Sequence, residues 1–350
     1  MLLRCVAHPG LLLFILLVTA GALAPAAATD DSTLRLTVVS HEPGHFSWAA
    51  ASRLAQSAGE NGLKVEPELA TSPGEQAQGR ASPDLLLMPL RSLATQVPAL
   101  EVLELPFLFS GVADIHQAFD NALGKLLREQ ARQQGWELLA LWDEGMHALS
   151  GQRRYDRAIN LTGMEFILLR PDPVAEKQFK ALDAWTRSAR PQTREQLLRE
   201  CAIGSRSASL QQIWHERLDR VHLAVSLTAH RYEGWVVIAP VATWSRHSEK
   251  DRAALLKVLS STTQWQRTDA QRREADALKQ LETSGMQIHS LDAEQRAAFM
   301  KRLPAWDELL SDELEQSLRK KLIAAATTGV VGRTTGQETP PKAQPATPDG

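Results

Sequence analysis

The sequence predicts an α/β fold with an open parallel sheet. Residues 34–39 alternate between apolar and polar side chains and are rich in β-formers, which indicates a first strand. Apolar residues at helical spacing follow over 46–58, and a second strand is predicted at 63–67, closed by its final proline. Residues 85–88 form a short, wholly apolar run that is typical of a buried parallel strand. This order of elements is that of βαβ units, whose ligands bind beyond the carboxyl ends of the strands.

The remaining elements alternate in the same way along the chain. An apolar loop is predicted at 105–109, and Gly135 should end the helix that follows it. Beyond Thr328 the chain is rich in Pro, Thr, Gly and Gln, and we expect it to be disordered. Further strands are predicted at 136–142, 166–169, 221–227 and 235–239, and helices at 112–134, 249–283, 293–303 and 306–326.

The amino terminus has the pattern of a secretory signal peptide. Arg4 precedes an apolar run over 11–18, and small residues that end in three alanines at 26–28 follow. We expect cleavage before Thr29, which would remove 28 of the 350 residues. A membrane anchor is the alternative, but a spanning helix needs about 20 apolar residues and this run is shorter. We therefore expect an exported protein that acts outside the cytoplasm.

Composition and charge exclude several functions. The chain carries 39 basic and 41 acidic residues, so it lacks the basic excess that nucleic-acid binding needs. Cys201 is the single cysteine after the predicted cleavage site, which excludes an intramolecular disulfide. The sequence contains no G-x-S-x-G elbow, P-loop or G-x-G-x-x-G motif, which argues against a serine hydrolase, an NTPase and a dinucleotide enzyme. We expect a binding protein that is not an enzyme and has no cofactor.

One histidine cluster formally matches a zinc-protease motif. His41, Glu42 and His45 follow the H-E-x-x-H pattern, in which two histidines four apart on a helix bind zinc. Here Pro43 and Gly44 stand between the histidines, directly after a strand, and both residues oppose a helix. The segment is therefore predicted to be a loop that lines the ligand cleft, without a metal.

Several short motifs occur in a fixed order along the chain. A glycine-to-aspartate turn at 79–84 leads into the apolar strand, and residues 97–109 then contain Leu-Pro-Phe-Leu-Phe. Trp-Asp-Glu-Gly follows at 142–145, Leu-Thr-Gly-Met at 161–164 and Leu-Thr-Ala-His at 227–230. In order and spacing these segments resemble the solute-binding subunit of TRAP transporters, the DctP-type periplasmic proteins. The resemblance covers roughly the segment from the first strand to the helix at 293–303.

The resemblance implies a two-lobed, periplasmic-binding-protein-like fold with a ligand cleft between the lobes and a long helix linking them. It places the first lobe at 34–145 and 228–250, and the second at 146–227 and 251–327. It also implies that the lobes close on a small organic, anionic solute and present it to the membrane permease subunits of a TRAP transporter. We expect the protein to be a monomer.

The segments that should recognise a carboxylate depart from the family pattern. In the family, an arginine in the pattern Gly-x-Lys-x-Arg clamps the ligand carboxylate with its planar guanidinium, and Ile167 stands at that position here. Arg170, three residues further on, would face the other side of a strand unless a bulge or the strand end re-aims it. His147 stands where the family often has another arginine, and a partly charged histidine would bind anions weakly or with a dependence on pH.

Two hypotheses follow from this departure. In the first, the ligand has changed and a different polar set binds it. In the second, solute capture has been lost and the folded shell serves as a protein-interaction module. Under the first hypothesis, the expected ligand-binding residues are His41, Met88, Phe107, His147, Arg170, Ser207, His230 and Trp235.

Overall fold

Ten strands form one mixed sheet, against which the helices pack. The computed structural model describes residues 33–39, 45–70, 83–190 and 193–328, so the predicted signal peptide, His41 and the tail beyond Thr328 lie outside the described residues. The strands are β1 (Thr33–Val39), β2 (Lys64–Ala70), β3 (Leu85–Pro89), β4 (Trp136–Gly151), β5 (Glu165–Leu168), β6 (Trp185–Ser188), β7 (Ser205–Ser209), β8 (Ala224–Leu227), β9 (Tyr232–Pro240) and β10 (Gln287–Ser290). The main path runs β2-β1-β3-β9-β4-β7-β5-β6, and β8 pairs with both β4 and β10.

Helices pack against this sheet. They are α1 (Phe46–Glu60), α2 (Leu90–Ala94), α3 (Val112–Phe119), α4 (Ala122–Gln133), α5 (Pro173–Ala181), α6 (Arg194–Ile203), α7 (Leu210–His215), α8 (Val241–Trp244), α9 (Glu249–Thr283), α10 (Ala293–Arg302), α11 (Trp306–Leu309) and α12 (Gln316–Thr327). A 3-10 helix spans Pro98–Glu104. None of the helices in the described residues combines the length and apolar character of a membrane span.

The apolar strand β3 is covered on both faces, as predicted. Leu86 and Met88 pack into one core with the helices α3, α4 and α12. Leu85 and Leu87 point to the opposite face and pack with α1 and α9. Alternate side chains of a strand point to opposite faces, so a strand between two helical layers is apolar throughout.

The predicted end of β2 is corrected by the structure. Pro67 does not close the strand but lies inside it, in parallel register with Leu36 of β1. β2 is at the edge of the sheet. A proline is tolerated in an edge strand because its missing backbone N–H removes no hydrogen bond between two inner strands.

The sheet is mixed and not wholly parallel, because two long strands cross its middle. β9 pairs antiparallel with β3 and with β4, and β4 continues beyond its predicted end to pair antiparallel with β7 and β8. We call β2, β1 and β3 with their helices the first half, and β7, β5 and β6 with theirs the second half. The register of β4 shifts between Asp143 and Gly145, where Gly145 has φ 144°. β4 and β9 therefore carry the chain from one half to the other.

Three short strands were not predicted, namely β6 and β7 of the second half and β10, which pairs with β8. β7 consists of Ser, Arg and Ala residues, yet it is buried throughout and pairs parallel with β5. The short strands β6 (Trp-Thr-Arg-Ser) and β10 (Gln-Ile-His-Ser) are mostly polar and partly exposed. Four residues with one β-branched side chain in each are too short a run to show the pattern from which strands are predicted.

Two predicted helices are each divided in the structure. The helix predicted at 112–134 consists of α3 and α4, which are separated by Asp120 and Asn121. The helix predicted at 306–326 consists of α11 and α12. In contrast, α9 has the predicted bounds, begins at the N-cap Ser248 and lies against β4, α1 and α7.

Candidate functional site

A hydrogen-bonded polar cluster lies where β4 passes from the first half to the second. His147 Nδ1 is 2.7 Å from Ser207 Oγ, and His147 Nε2 is 2.9 Å from Glu233 Oε2. Ser207 Oγ is 3.0 Å from His230 Nε2, and the other ring nitrogen of His230 is 2.6 Å from Thr228 Oγ1. The structure therefore brings together three predicted site residues from three separate parts of the chain. We call these five residues the cleft cluster.

Burial and neighbouring charges set the ionisation of the cleft cluster. Burial would raise the pKa of Glu233, but the adjacent His147 outweighs it and Arg170 adds to the effect, so the pKa falls to about 2. Burial lowers the pKa of His230 well below its usual value, and the nearby His147 acts in the same direction. At neutral pH the cluster thus contains one carboxylate and one neutral imidazole, and Glu233 accepts a hydrogen bond from His147.

The cleft cluster has an exposed edge and a buried interior. The side chains of His147 and Glu233 are 12% and 23% exposed. Ser207 and His230 are only 5% and 1% exposed, so they lie behind this edge. The carboxylate and the imidazole therefore face the solvent in part, while the inner residues hold the imidazole ring in place.

The residues near the expected arginine position lie differently. Ile167 is fully buried in β5 and offers no polar group. Arg170 follows the end of β5, is exposed, and is close enough to Glu233 to lower the pKa of that carboxyl. Arg206, paired in register with Ile167, donates hydrogen bonds of 2.9 and 3.3 Å to Glu216. Among these residues, Arg170 is the guanidinium that remains exposed to solvent.

A second polar group surrounds Trp235. Its Nε1 donates a 2.8 Å hydrogen bond to Glu144 Oε2, and its ring centroid is 5.0 Å from that of His45. His45 is the N-cap of α1, and its Nδ1 accepts a hydrogen bond from the backbone of Ser47. α1 therefore begins directly after His45, while residues 41–44, where the loop is predicted, lie outside the described residues.

Acidic and basic side chains of α9 border this group. Burial raises the pKa of Glu274 to about 7, opposed by a hydrogen bond from Gln211, while the charge of Glu144 raises it further. Arg273 stacks over the ring of Phe46 at 4.4 Å, and its Nε donates to Asp269 at 2.8 Å.

Two further predicted site residues are buried in the cores. Met88 packs among apolar residues of the first half. Phe107 donates its backbone N–H to the His230 oxygen at 2.6 Å, and its ring lies 6.1 Å from the imidazole. Phe107 thus supports the cleft cluster from behind. Contact of either residue with a solute stays a prediction, as does the role of His41.

Sequence reasoning missed several polar members of the site. Glu233 is the one charged residue of the otherwise mostly apolar β9, and that contrast is a signal in the sequence. Glu144 and Thr228 lie inside the quoted motifs but were not singled out. In the described part of the chain, no set of three His, Cys, Asp or Glu side chains is arranged to hold a metal ion.

Comparisons with known proteins agree with this architecture. A family model, "bacterial extracellular solute-binding protein, family 7" (DctP), matches residues 77–321. The C4-dicarboxylate-binding periplasmic protein DctP of Rhodobacter capsulatus is 24% identical over 229 residues, which are 64% of this chain and 66% of that protein. The C4-dicarboxylate-binding protein DctB of Bacillus subtilis is 23% identical over 208 residues, 59% of each chain. The chain thus spans less than two thirds of the length of these relatives.

The fold agrees over a larger part of the chain. A TRAP periplasmic solute-binding protein from Ochrobactrum anthropi, with its C-terminus bound in the ligand-binding pocket, superimposes with a TM-score of 0.75. It is 22% identical, and the match covers 86% of this chain and 96% of that one. Two α/β lobes, joined by crossing strands and a long helix, define the class of two-lobed solute-binding proteins. The chain belongs to the bacterial extracellular solute-binding protein family 7, the DctP family.

Proposed function

We propose that this protein captures a small organic anion in the cleft between its two halves and presents it to the permease subunits of a TRAP transporter in the periplasmic space. The cleft cluster is the observation that carries the proposal, because it brings polar groups of the crossing strands β4 and β9 together with Ser207 of the second half. The family consists of solute-binding proteins, and the names of two relatives specify C4 dicarboxylates. The protein acts by binding, without catalysis, and as a monomer.

The proposed lobes follow the two halves of the sheet except at the carboxyl end, because α12, which is assigned to the second lobe, packs with β3 in a core of the first half. The first lobe comprises 34–145 and 228–250, and the second comprises 146–227 and 251–327. The change of partner of β4, from β9 to β7, supports a boundary near residue 146. Solute binding would stabilise the arrangement in which the lobes enclose it.

Two charged side chains at the exposed edge of the cleft cluster, Arg170 and Glu233, support a particular way of binding the solute. Arg170 is the cation that can receive a solute carboxylate, since a guanidinium pairs with carboxylates through two hydrogen bonds. Glu233 is an acceptor, so it favours a solute hydroxyl beside the carboxylate and disfavours a second anionic group at that point. The site that we propose therefore also includes His147, Ser207, His230 and Trp235. Its further proposed members are Met88, Phe107 and, outside the described residues, His41.

A thermal-shift screen of C4 dicarboxylates, hydroxy acids, sugar acids and amino acids, followed by calorimetry, tests this function. A bound solute raises the melting temperature because it binds the folded state alone. We expect His147→Gln to weaken the affinity for the solute found by about tenfold, or ~1.4 kcal/mol. His247→Gln is the matched control, because His247 lies near Asp84 at the start of β3, away from the cluster.

Two outcomes would contradict the proposal. One is a screen in which no compound shifts the melting temperature while the purified protein binds a protein partner, which favours the protein-interaction module. The other is an equal loss of affinity in the two histidine variants, because the cleft cluster would then have no particular part in binding.

A further inference from the structure

A separate buried ionic group lies beside the segment that leads into β9. Arg231 precedes that strand, and its Nη2 donates a 2.7 Å hydrogen bond to Asp172 Oδ2. The other oxygen, Asp172 Oδ1, lies 3.7 Å from Arg91 Nη2. The side chains of Arg91 and Arg231 are only 10% and 3% exposed. One carboxylate therefore bridges two buried guanidinium groups.

The three side chains come from different halves of the sheet. Arg91 is in α2, directly after β3, and Arg231 leads into β9, which pairs with β3. Asp172 follows β5 and is the N-cap of α5, where its Oδ1 accepts a 3.0 Å hydrogen bond from the backbone of Ala175. The Asp172 carboxylate thus extends from the second half to Arg91 of the first half and to Arg231, which precedes the crossing strand β9. We call the surroundings of these two guanidinium groups the cradle.

Two other acids share the cradle, but their charges are held less firmly. Glu101 and Glu104 lie beside Arg91, and burial raises the pKa of Glu104 to about 7. Burial would also raise the pKa of Asp172, but Arg231 and Arg91 outweigh it and hold that pKa well below its usual range. Of the three acids, Asp172 is therefore the one that stays ionised, and it lies between the two guanidinium groups.

We propose that Arg91 and Arg231 form a carboxylate-binding site whose built-in ligand is Asp172, and that this ionic clamp joins the two halves. Two guanidinium groups around one carboxylate are the donor set by which proteins bind carboxylates, and burial strengthens each contact. If the Asp172 carboxylate is removed, the site has room and charge for a small carboxylate from solution. This inference goes beyond the proposed solute capture and does not depend on it.

Chemical rescue tests the clamp. Asp172→Ser removes the carboxylate but keeps a good N-cap for α5, because serine caps helices about as well as aspartate. We expect this variant to melt well below the unaltered protein in chloride. Formate or acetate at about 100 mM should then raise its Tm by about 2 °C more than chloride at equal ionic strength. Neutral formamide should have no such effect.

The control is the same substitution at another helix start. Asp292 caps α10 and accepts a hydrogen bond from the backbone of Gln295, but it is not in the cradle. Asp292→Ser and the unaltered protein should respond equally to formate and chloride. If Asp172→Ser does not fold in chloride, the recovery of folded protein on refolding is compared in formate and in chloride. Equal responses of Asp172→Ser to the two salts, in melting or in refolding, would overturn the clamp.

The clamp and the proposed function fail in different experiments. The rescue uses formate and no solute of the cleft, so a failed solute screen with a successful rescue refutes solute capture alone. A successful screen with no rescue refutes the clamp alone.

Discussion

Single residues decide the electrostatics of the cleft cluster. A buried carboxylate is costly unless it is paired, and Glu233 has its partner in His147 at 2.9 Å. The imidazole is in turn bound on its other side by Ser207, so neither ring nitrogen is free. The Glu233 carboxylate already occupies the outer ring nitrogen of this imidazole, so an anion that approaches the edge meets a negative charge. For this reason we place the solute carboxylate beside Arg170.

The lowered pKa of Glu233 makes a prediction about stability. Its value falls from 4.5 to about 2, so the carboxylate contributes stability above about pH 4.5 and loses it as the pH falls towards 2. Between pH 5 and pH 2.5 we expect the free energy of unfolding to fall by about 2 kcal/mol less in Glu233→Gln than in the unaltered protein. This figure is smaller than the full pKa shift implies because the side chain is partly exposed. Urea denaturation at pH 5 and pH 2.5 measures the loss, with exposed Glu129→Gln as control. Equal losses in the unaltered protein and Glu233→Gln would contradict the ion pair.

The site could be predicted from the sequence only where a motif carried its residues. His147 follows the Trp-Asp-Glu-Gly motif and His230 ends the Leu-Thr-Ala-His motif, and the structure places their rings 5.8 Å apart. Glu233 comes 86 residues after the histidine that it holds. A single sequence does not reveal such a pairing, because the strand register that creates it is set by the packing of the whole sheet.

At the scale of elements, periodic segments were predicted well and packed junctions were not. The bounds of α9 were predicted because its N-cap serine and its apolar spacing are local features. β7 was missed because its strand conformation depends on its buried place between β4 and β5. The break between α3 and α4 was missed for a similar reason, since the end of α3 approaches the start of α4 closely at Gly124, a tertiary feature.

Gly124 gives the prediction at this scale. A Cβ on Gly124 would lie 1.7 Å from the backbone oxygen of Phe119, an atom that cannot turn away as a side chain can. We expect Gly124→Ala to lower the free energy of unfolding by about 3 kcal/mol, because the start of α4 must move away from the end of α3. Urea denaturation measures the change.

The matched control for this prediction is Gly59→Ala. Gly59 lies in the last turn of α1, and a Cβ there would meet nothing within 4 Å. Alanine should be neutral or slightly stabilising at that position because it favours helices. If both alanine variants are as stable as the unaltered protein, the close contact at Gly124 does not determine how α3 and α4 join.

At the scale of the whole molecule, α9 joins the cores of the two halves. Its first part, with Leu255 and Leu259, packs in the core that includes α1 and β1. Its last part, with Ala277 and Leu281, packs in the core of α6 and α7. Between them lies Gln266, which is fully buried against β4. The helix is therefore shared structure, and the stability of each half should depend on it.

Gln266 is the point at which this coupling can be tested. Its side chain accepts a 2.9 Å hydrogen bond from the backbone N–H of Asp143 and donates a 2.7 Å bond to the backbone oxygen of the same residue. We expect Gln266→Leu to lower the free energy of unfolding by about 3 kcal/mol, because two buried backbone groups lose their partners. Exposed Gln264→Leu, on the same helix, should have little effect.

Hydrogen exchange distinguishes a shared helix from a local contact. If α9 couples the two halves, Gln266→Leu should reduce the protection of the slowest amides of β1 and of β5 by the same factor, since both open in one global unfolding event. A loss of protection confined to the first half would show that the halves unfold separately and that α9 belongs to one of them. Equal losses would mean that the two halves unfold as one cooperative unit, so that a ligand that binds the folded state alone would stabilise both of them.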